Sequence, residues 1–424
     1  MSGNILIKNA SELVTCSGFA AKSGRQMSDL HIIKDGAVAI ENGEITAVGK
    51  TRDVCEAVIT PFETILDASG KAVLPGFIDP HTHLVFAGHR AEEFAWRLQG
   101  ERYMDILARG GGILSTVSAT RKAGEKELTA AAGSRLDRLL AHGVTTVEGK
   151  SGYGLDLKTE VKQLQVMATL NKRHPIDIIP TFLGAHAIAD EYRGRADAFI
   201  GYMADEVLPV VADLKLAEFC DVFCETGVFS VAQSRRLLEK ARQSGMKLKL
   251  HADEMTPLGG AELAADLGAV SADHLLFASD EGIGRMAAAG VVAVLLPATA
   301  FCLKARYARA RAMIDAGCPV ALATDLNPGS AFTESIPLLF ALATLHMGMR
   351  IEEAVSALTI NAAAAIGRPE QIGSIDVGKK GDVILLEFPS YRYLPYHTAT
   401  NSVEIVVKAG RIVFDNTKKE AWSC

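Results

Sequence analysis

Pro75-Gly76-Phe77-Ile78-Asp79-Pro80-His81-Thr82-His83 is a short apolar run that ends on two histidines one residue apart. Side chains alternate along an extended chain, so a two-residue step puts both imidazoles on the same side. They can then share one ion. Working outward, seven more β-type runs follow at intervals that leave room for helices: Val144–Lys150, Asp177–Leu183, Phe219–Glu225, Lys247–His251, Ala269–Leu275, Val291–Leu296 and Val320–Asp325. Helical patterns such as Glu127–His142, Lys158–Lys172, Val231–Ser244 and Glu281–Ala289 lie between them. This alternation is the signature of parallel βαβ units, and eight strands are what a closed barrel needs. The expected fold class is α/β, with a distorted (β/α)8 TIM barrel over residues 73–372.

The two ends of the chain have a different texture. Ile5–Lys8, Gly36–Ile40 and Glu44–Val48 read as short strands, with Asn42-Gly43 as a hairpin turn; Asp382–Glu387, Val403–Lys408 and Arg411–Phe414 repeat the pattern. Neither end is long enough to bury a sheet face alone. Residues 1–72 and 373–424 are therefore expected to combine into one small β-sandwich domain.

Polar residues recur where these barrel strands end. His251 closes Leu248-Lys249-Leu250, His274 closes Val270-Ser271-Ala272-Asp273, and Asp325 closes Val320-Ala321-Leu322-Ala323-Thr324. Barrel enzymes keep their active sites at this C-terminal rim. His81, His83, His251 and Asp325 are the expected metal ligands: three imidazoles and a carboxylate suit Zn²⁺ or Fe and leave room for a water. The cofactor expected is one Zn²⁺ or Fe ion per subunit.

Composition narrows the function classes. The 424 residues are 49% hydrophobic and 22% charged, an ordinary globular balance. With 44 Lys+Arg against 50 Asp+Glu, the net charge of −6 offers no field to gather nucleic acid or an anionic membrane, so neither partner is expected. The seven cysteines are scattered without a C-x-x-C pair, which fits reduced thiols in the cytoplasm. Met1 to Thr15 does not read as a secretory signal. Gly110-Gly111-Gly112 lacks the spacing of a phosphate cradle and reads as a mobile loop. Arg306, Arg309 and Arg311 read as a solvated basic face, and His142 before Gly143 as a helix C-terminal residue.

Taken together, the segment from Pro75 to His83, the later strand-end histidines and the strand-end aspartate resemble the amidohydrolase superfamily over essentially the whole chain. The resemblance implies a barrel joined to a small β domain built from both termini. Binuclear members carry a lysine at the end of the fourth strand. This chain has Cys224-Glu225-Thr226-Gly227 there, so a mononuclear site is expected, with Lys150 the residue to watch for a second metal. His89-Arg90, Lys150-Ser151-Gly152-Tyr153-Gly154, Leu183-Gly184-Ala185-His186, His251-Ala252-Asp253-Glu254 and Asp325-Leu326-Asn327-Pro328-Gly329-Ser330 resemble, more closely, the branch that opens the ring of 4-imidazolone-5-propanoate with water to give N-formimino-glutamate in histidine degradation.

The closer resemblance implies a small-molecule substrate bound by Arg90, Tyr153, His186, Glu254 and Ser330, with Asn327 and Gly329 contacting the product. It also implies a homodimer. The residues themselves agree with a propionate-bearing substrate, because arginine stays charged and can bind two carboxylate oxygens. Glu254, His274 and Asp325 are the expected catalytic groups. His274 polarises the ring carbonyl, Glu254 carries a proton from water to the departing nitrogen, and Asp325 can share that shuttle. A deaminase acting on a neutral ring is the competing enzyme reading, and a non-catalytic barrel is the competing reading of another kind.

Overall fold

The computed structural model describes residues 3–58, 61–101, 105, 109 and 111–417. Eight parallel strands stand in chain order: β1 (Phe77–Thr82), β2 (Val144–Lys150), β3 (Asp177–Ala185), β4 (Phe219–Cys224), β5 (Lys247–Ala252), β6 (Ser271–His274), β7 (Val292–Leu295) and β8 (Val320–Leu322). The ring closes through a bridge between Thr82 and Leu326 and through the Asp325 N–H, which donates to the His81 carbonyl at 3.1 Å. The last strands are short and the closure is narrow, so the barrel is distorted as expected.

Local sequence explains why the intervening helices start and stop where they do. Glu125–Ala141 buries Leu128, Ala132, Leu136, Leu139 and Leu140 at helical spacing, and ends at His142 before Gly143, whose φ of 86° is a conformation glycine adopts without strain. Asp156 caps Leu157–Asn171 by accepting from the Thr159 N–H at 2.7 Å. Ser230 and Gln233 form a reciprocal capping box on Val231–Gln243. Each cap satisfies an otherwise orphaned N–H; replacing such a residue by Ala costs about 0.5–2 kcal/mol. At the entry to β1 the chain runs so close to β2 that a Cβ on Gly76 would lie 2.4 Å from the Thr145 methyl.

The chain ends build two sheets. One has the order Glu44–Lys50, Gly36–Glu41, Ile5–Ala10, Thr64–Asp67; the other runs Arg411–Asp415, Val403–Lys408, Val383–Leu386, Ala72–Pro75, Glu12–Val14, Ile32–Ile33. Ile5, Ile7, Val38, Ile40, Val73, Val383, Leu385 and Val407 fill the space they share. Asn42 and Gly43 both have positive φ (53° and 86°), as a type I′ hairpin turn requires. The segment Gly18–Leu30 leaves this sandwich and packs on the barrel. There the Lys22 N–H donates to Asn361 Oδ1 at 2.7 Å, and Ser356 Oγ donates to the Met27 carbonyl at 2.7 Å.

Candidate metal centre and active site

Three imidazoles and one carboxylate meet at the C-terminal rim. His81 Nε2 lies 3.3 Å from His83 Nε2, His83 Nε2 lies 3.4 Å from His251 Nε2, and Asp325 Oδ1 is 3.4 Å from His81 Nε2 and 3.5 Å from His83 Nε2. All four residues are buried. For two of the imidazoles the nitrogen offered to the site is set by what holds the other side of the ring. His81 Nδ1 pairs with Asp273 Oδ2 at 2.6 Å and His251 Nδ1 with Asp221 Oδ2 at 3.0 Å. Asp325 is turned by Thr299, whose hydroxyl donates to Oδ2 at 2.5 Å.

His81, His83 and His251 present nitrogens close enough to share one metal ion, and Asp325 joins them beside His81 and His83. A tetrahedral ion with ligands at ~2.0–2.1 Å has ligand–ligand edges of about 3.3–3.4 Å. Burial pushes the His83 and His251 imidazoliums down, His251 to about 4, so both rings are neutral at pH 7 and present lone pairs. His81 differs: burial and Lys150 pull it down, but its hydrogen bonds to Asp273 and Asp325 outweigh them and raise it to about 9. A positive charge at that nitrogen is therefore favoured. Burial opposes ionisation of Asp325, yet the His81 and His83 hydrogen bonds hold its carboxyl well below the usual range.

His274 stands beside this group with both ring nitrogens buried and without hydrogen-bond partners. Burial holds it neutral. Its Nδ1 is 3.6 Å from Glu254 Oε1, and burial together with the nearby Asp325 carboxylate pushes the Glu254 carboxyl up to about 8. His274 and Asp325 sit at φ of 75° and 54°, a region that costs a non-glycine residue about 1–3 kcal/mol and is typical of functional positions. Glu254 opens onto a cavity of about 310 Å³ lined also by Phe277, Thr299 and Arg306. Arg306 stacks over Phe277, whereas Arg309 pairs with Asp280 and Arg311 with Glu353.

The remaining expected residues surround the same mouth. His186 stacks on His83 with centroids 4.8 Å apart, and Tyr153 lies 5.8 Å from His83 and 5.4 Å from His186. Arg90 is forked onto Glu93, with Nε donating to Oε2 at 2.8 Å, and Glu93 also accepts from the Gly112 N–H at 2.8 Å. Gly112 precedes the helix Ile113–Lys122, and Gly110 lies outside the described residues. The Arg90 guanidinium lies against Gly329, where a Cβ would require the arginine tip to shift. Asn327 Oδ1 accepts from the N–H groups of Gly329 and Ser330 at 2.8 Å each, and its Nδ2 donates to the Asp325 carbonyl at 2.6 Å, so Asn327 builds this loop.

One layer below lie charged residues of which the sequence reading singled out Lys150 alone, as the residue to watch for a second metal. Glu148, Lys150, Asp221, Lys249 and Asp273 are all fully buried and mutually paired. The signal was available: each is a charge in an apolar run, and Asp79, Glu148 and Lys249 stand two residues before His81, Lys150 and His251, on the same face.

The closed barrel, the sandwich made from both ends and the donors at the strand ends define an amidohydrolase. The chain belongs to that family, whose sequence profile matches residues 99–414. Within it, the chain is 61% identical over 412 residues to the imidazolonepropionase of Clostridium tetani, which covers 97% of this chain and 98% of that protein. It is 57% identical over 411 residues to the imidazolonepropionase of Parabacteroides distasonis, covering 97% and 99%. Solved structures share the fold at low identity. A zinc-bound adenosine deaminase from Xanthomonas campestris is 19% identical with a TM-score of 0.70, covering 99% of this chain and 94% of that one. A triazine hydrolase variant is 18% identical with a TM-score of 0.73, covering 97% and 95%.

Proposed function

We propose that this chain hydrolyses the cyclic amide C–N bond of 4-imidazolone-5-propanoate to N-formimino-L-glutamate, a step of histidine degradation. The reading is carried by full-length likeness, at 61% identity, to a protein named imidazolonepropionase. His81, His83, His251 and Asp325 would hold one Zn²⁺ or Fe ion, which when bound supplies Lewis acidity and lowers the pKa of a water towards neutrality.

The other residues have separable tasks. Arg90 and Tyr153 bind the propionate and place the ring. His186, Ser330, Asn327 and Gly329 shape the pocket around it. Neutral His274 donates a hydrogen bond to the ring carbonyl oxygen and stabilises the charge that develops there. Glu254 takes a proton from water at its carboxylate oxygen and delivers it to the departing ring nitrogen, and Asp325 can share this transfer. The raised Glu254 carboxyl, pushed up to about 8 by burial and the Asp325 carboxylate, suits a group that must both accept and return a proton.

Hydrolysis of freshly generated 4-imidazolone-5-propanoate by metal-depleted and by Zn²⁺- or Fe-restored protein tests the reaction. Restored turnover is expected; folded, metal-loaded protein that leaves the substrate untouched sinks it. Glu254→Gln is expected to lose about 10²-fold or more in kcat. It should also lose the limb on which kcat/KM rises with pH at or below about 8, where the wild-type carboxyl gives up its proton. Near-normal turnover would remove Glu254 from the proton path.

The proposal extends to context. The domain division runs 1–72 with 373–424, and 73–372. The setting is cytoplasmic, in keeping with the six described cysteines, none of which is paired. No described helix is long and apolar enough to cross a membrane. The assembly is a homodimer by family resemblance, for which light scattering across a concentration series is the test.

A further inference from the structure

Lys150 lies at the centre of the fully buried polar layer beneath the rim. Its Nζ donates to Asp221 Oδ2 at 2.7 Å and to Glu148 Oε1 at 2.9 Å, and stands 3.2 Å from Asp273 Oδ2. The same Asp221 oxygen holds His251 Nδ1, and the same Asp273 oxygen holds His81 Nδ1. One ammonium group therefore ties together the two carboxylates that aim two separate imidazoles. Lys249 completes the layer from the far side, donating to Glu148 Oε2 at 2.6 Å.

We propose that Lys150 is a positioning residue for the metal centre: its ammonium group, fixed between Asp221 and Asp273, sets the directions of His251 and His81 together and so the affinity of the site for its ion. The physical need is plain. Asp221 and Asp273 are two buried anions sharing one small space, and like charges there repel unless a cation stands between them. Lysine supplies a compact charge with three donors, and its three acceptors are all present. Remove it and the carboxylates move apart, carrying the two Nδ1 partners with them and spreading the Nε2 pair. Partners behind metal-bound histidines are worth about 10–100-fold in metal affinity elsewhere, although they touch no metal. Lys150 acts one bond further out, but on two histidines at once.

This inference rests on the metal reading above, and the experiment separates the two. Zn²⁺ binding by metal-free protein is measured by competition with a chromogenic chelator for the wild type, for Lys150→Met, and for the double variant Glu148→Gln/Lys150→Met. The double variant removes one anion with the cation, so the buried layer keeps its net charge, and the amide oxygen at position 148 still accepts from Lys249. Intact thermal unfolding of the double variant, with Zn²⁺ bound 10-fold or more weakly than by the wild type, is the expected result. A folded double variant with wild-type affinity overturns the proposal. So does a double variant that cannot fold, which would make Lys150 a residue of folding rather than of metal positioning. A wild-type protein that does not bind Zn²⁺ tightly would instead sink the metal reading itself.

Discussion

The two interiors of this molecule are filled on opposite principles. The sandwich made from the chain ends is held by Ile5, Ile7, Val38, Ile40, Val73, Val383, Leu385 and Val407. The barrel layer under the rim is held by Glu148, Lys150, Asp221, Lys249 and Asp273, with no exposed surface between them. Barrel interiors are commonly packed with branched aliphatic side chains. An apolar core is stabilised by area and volume, so it tolerates changes that keep both. An ionic core is stabilised by pairing against a large desolvation cost, so it tolerates few single changes and is weak support for stability as such. The barrel accepts that cost at its centre, where the histidines must be aimed; the sandwich, which holds no described donor of the rim, fills its centre with aliphatic side chains and carries buried charge in pairs such as Lys408 with Asp382, at 2.7 Å.

The contrast can be broken most forcefully at Lys249. Lys249→Met leaves Glu148 without one of its two cations, and breaking a buried pair in this way costs about 3–5 kcal/mol; a urea midpoint close to wild type would show that the layer is not ionic in the sense argued here. In the sandwich, Leu385→Ala is expected to cost about 2–5 kcal/mol through a cavity, yet to leave kcat per folded molecule unchanged. A kcat loss there would mean that the sandwich shapes the rim. At the mouth, Arg90→Ala removes charge-assisted bonds worth about 1.5–3 kcal/mol. It should raise KM about 10–100-fold for a carboxylate substrate and, by leaving the buried Glu93 without its arginine, also lower stability; an unchanged KM in the folded variant would favour a neutral-ring substrate. The smallest effect is expected from Ile40→Val, about 0.5–1.5 kcal/mol in stability, with metal affinity untouched.

Much of this was legible beforehand. All eight barrel strands lie within a few residues of the runs read from the sequence, because continuous β-branched segments between amphipathic helices have few other folds available. The strands Glu12–Val14, Thr64–Asp67 and Ala72–Pro75 were not legible. Each is three or four residues long and takes its partners from distant chain: Ala72–Pro75 pairs with Val383–Leu386. Short strands carry too little periodicity to be read, and their reality depends on the neighbour. The packing of Gly18–Leu30 on the barrel was missed for the same reason, since it is fixed by Asn361 and Ser356 from the far end of the sequence.

At the site the division is sharper. His81 and His83, two residues apart on one strand, declared themselves by period alone, and His251, His274 and Asp325 by ending apolar runs. What the order of residues could not decide was which nitrogen of each ring faces inward. That depends on Asp273 behind His81 and Asp221 behind His251, on different strands and 192 and 30 residues away. Nor could it foretell that Lys150 would stand between those carboxylates, or that the Arg90 guanidinium would lie against Gly329. The sequence determined the barrel, the sandwich and the chemical types at the rim, because periodicity and residue chemistry are local properties. Tertiary structure alone decided direction and distance, because those are set by contacts between strands that meet only when the barrel closes.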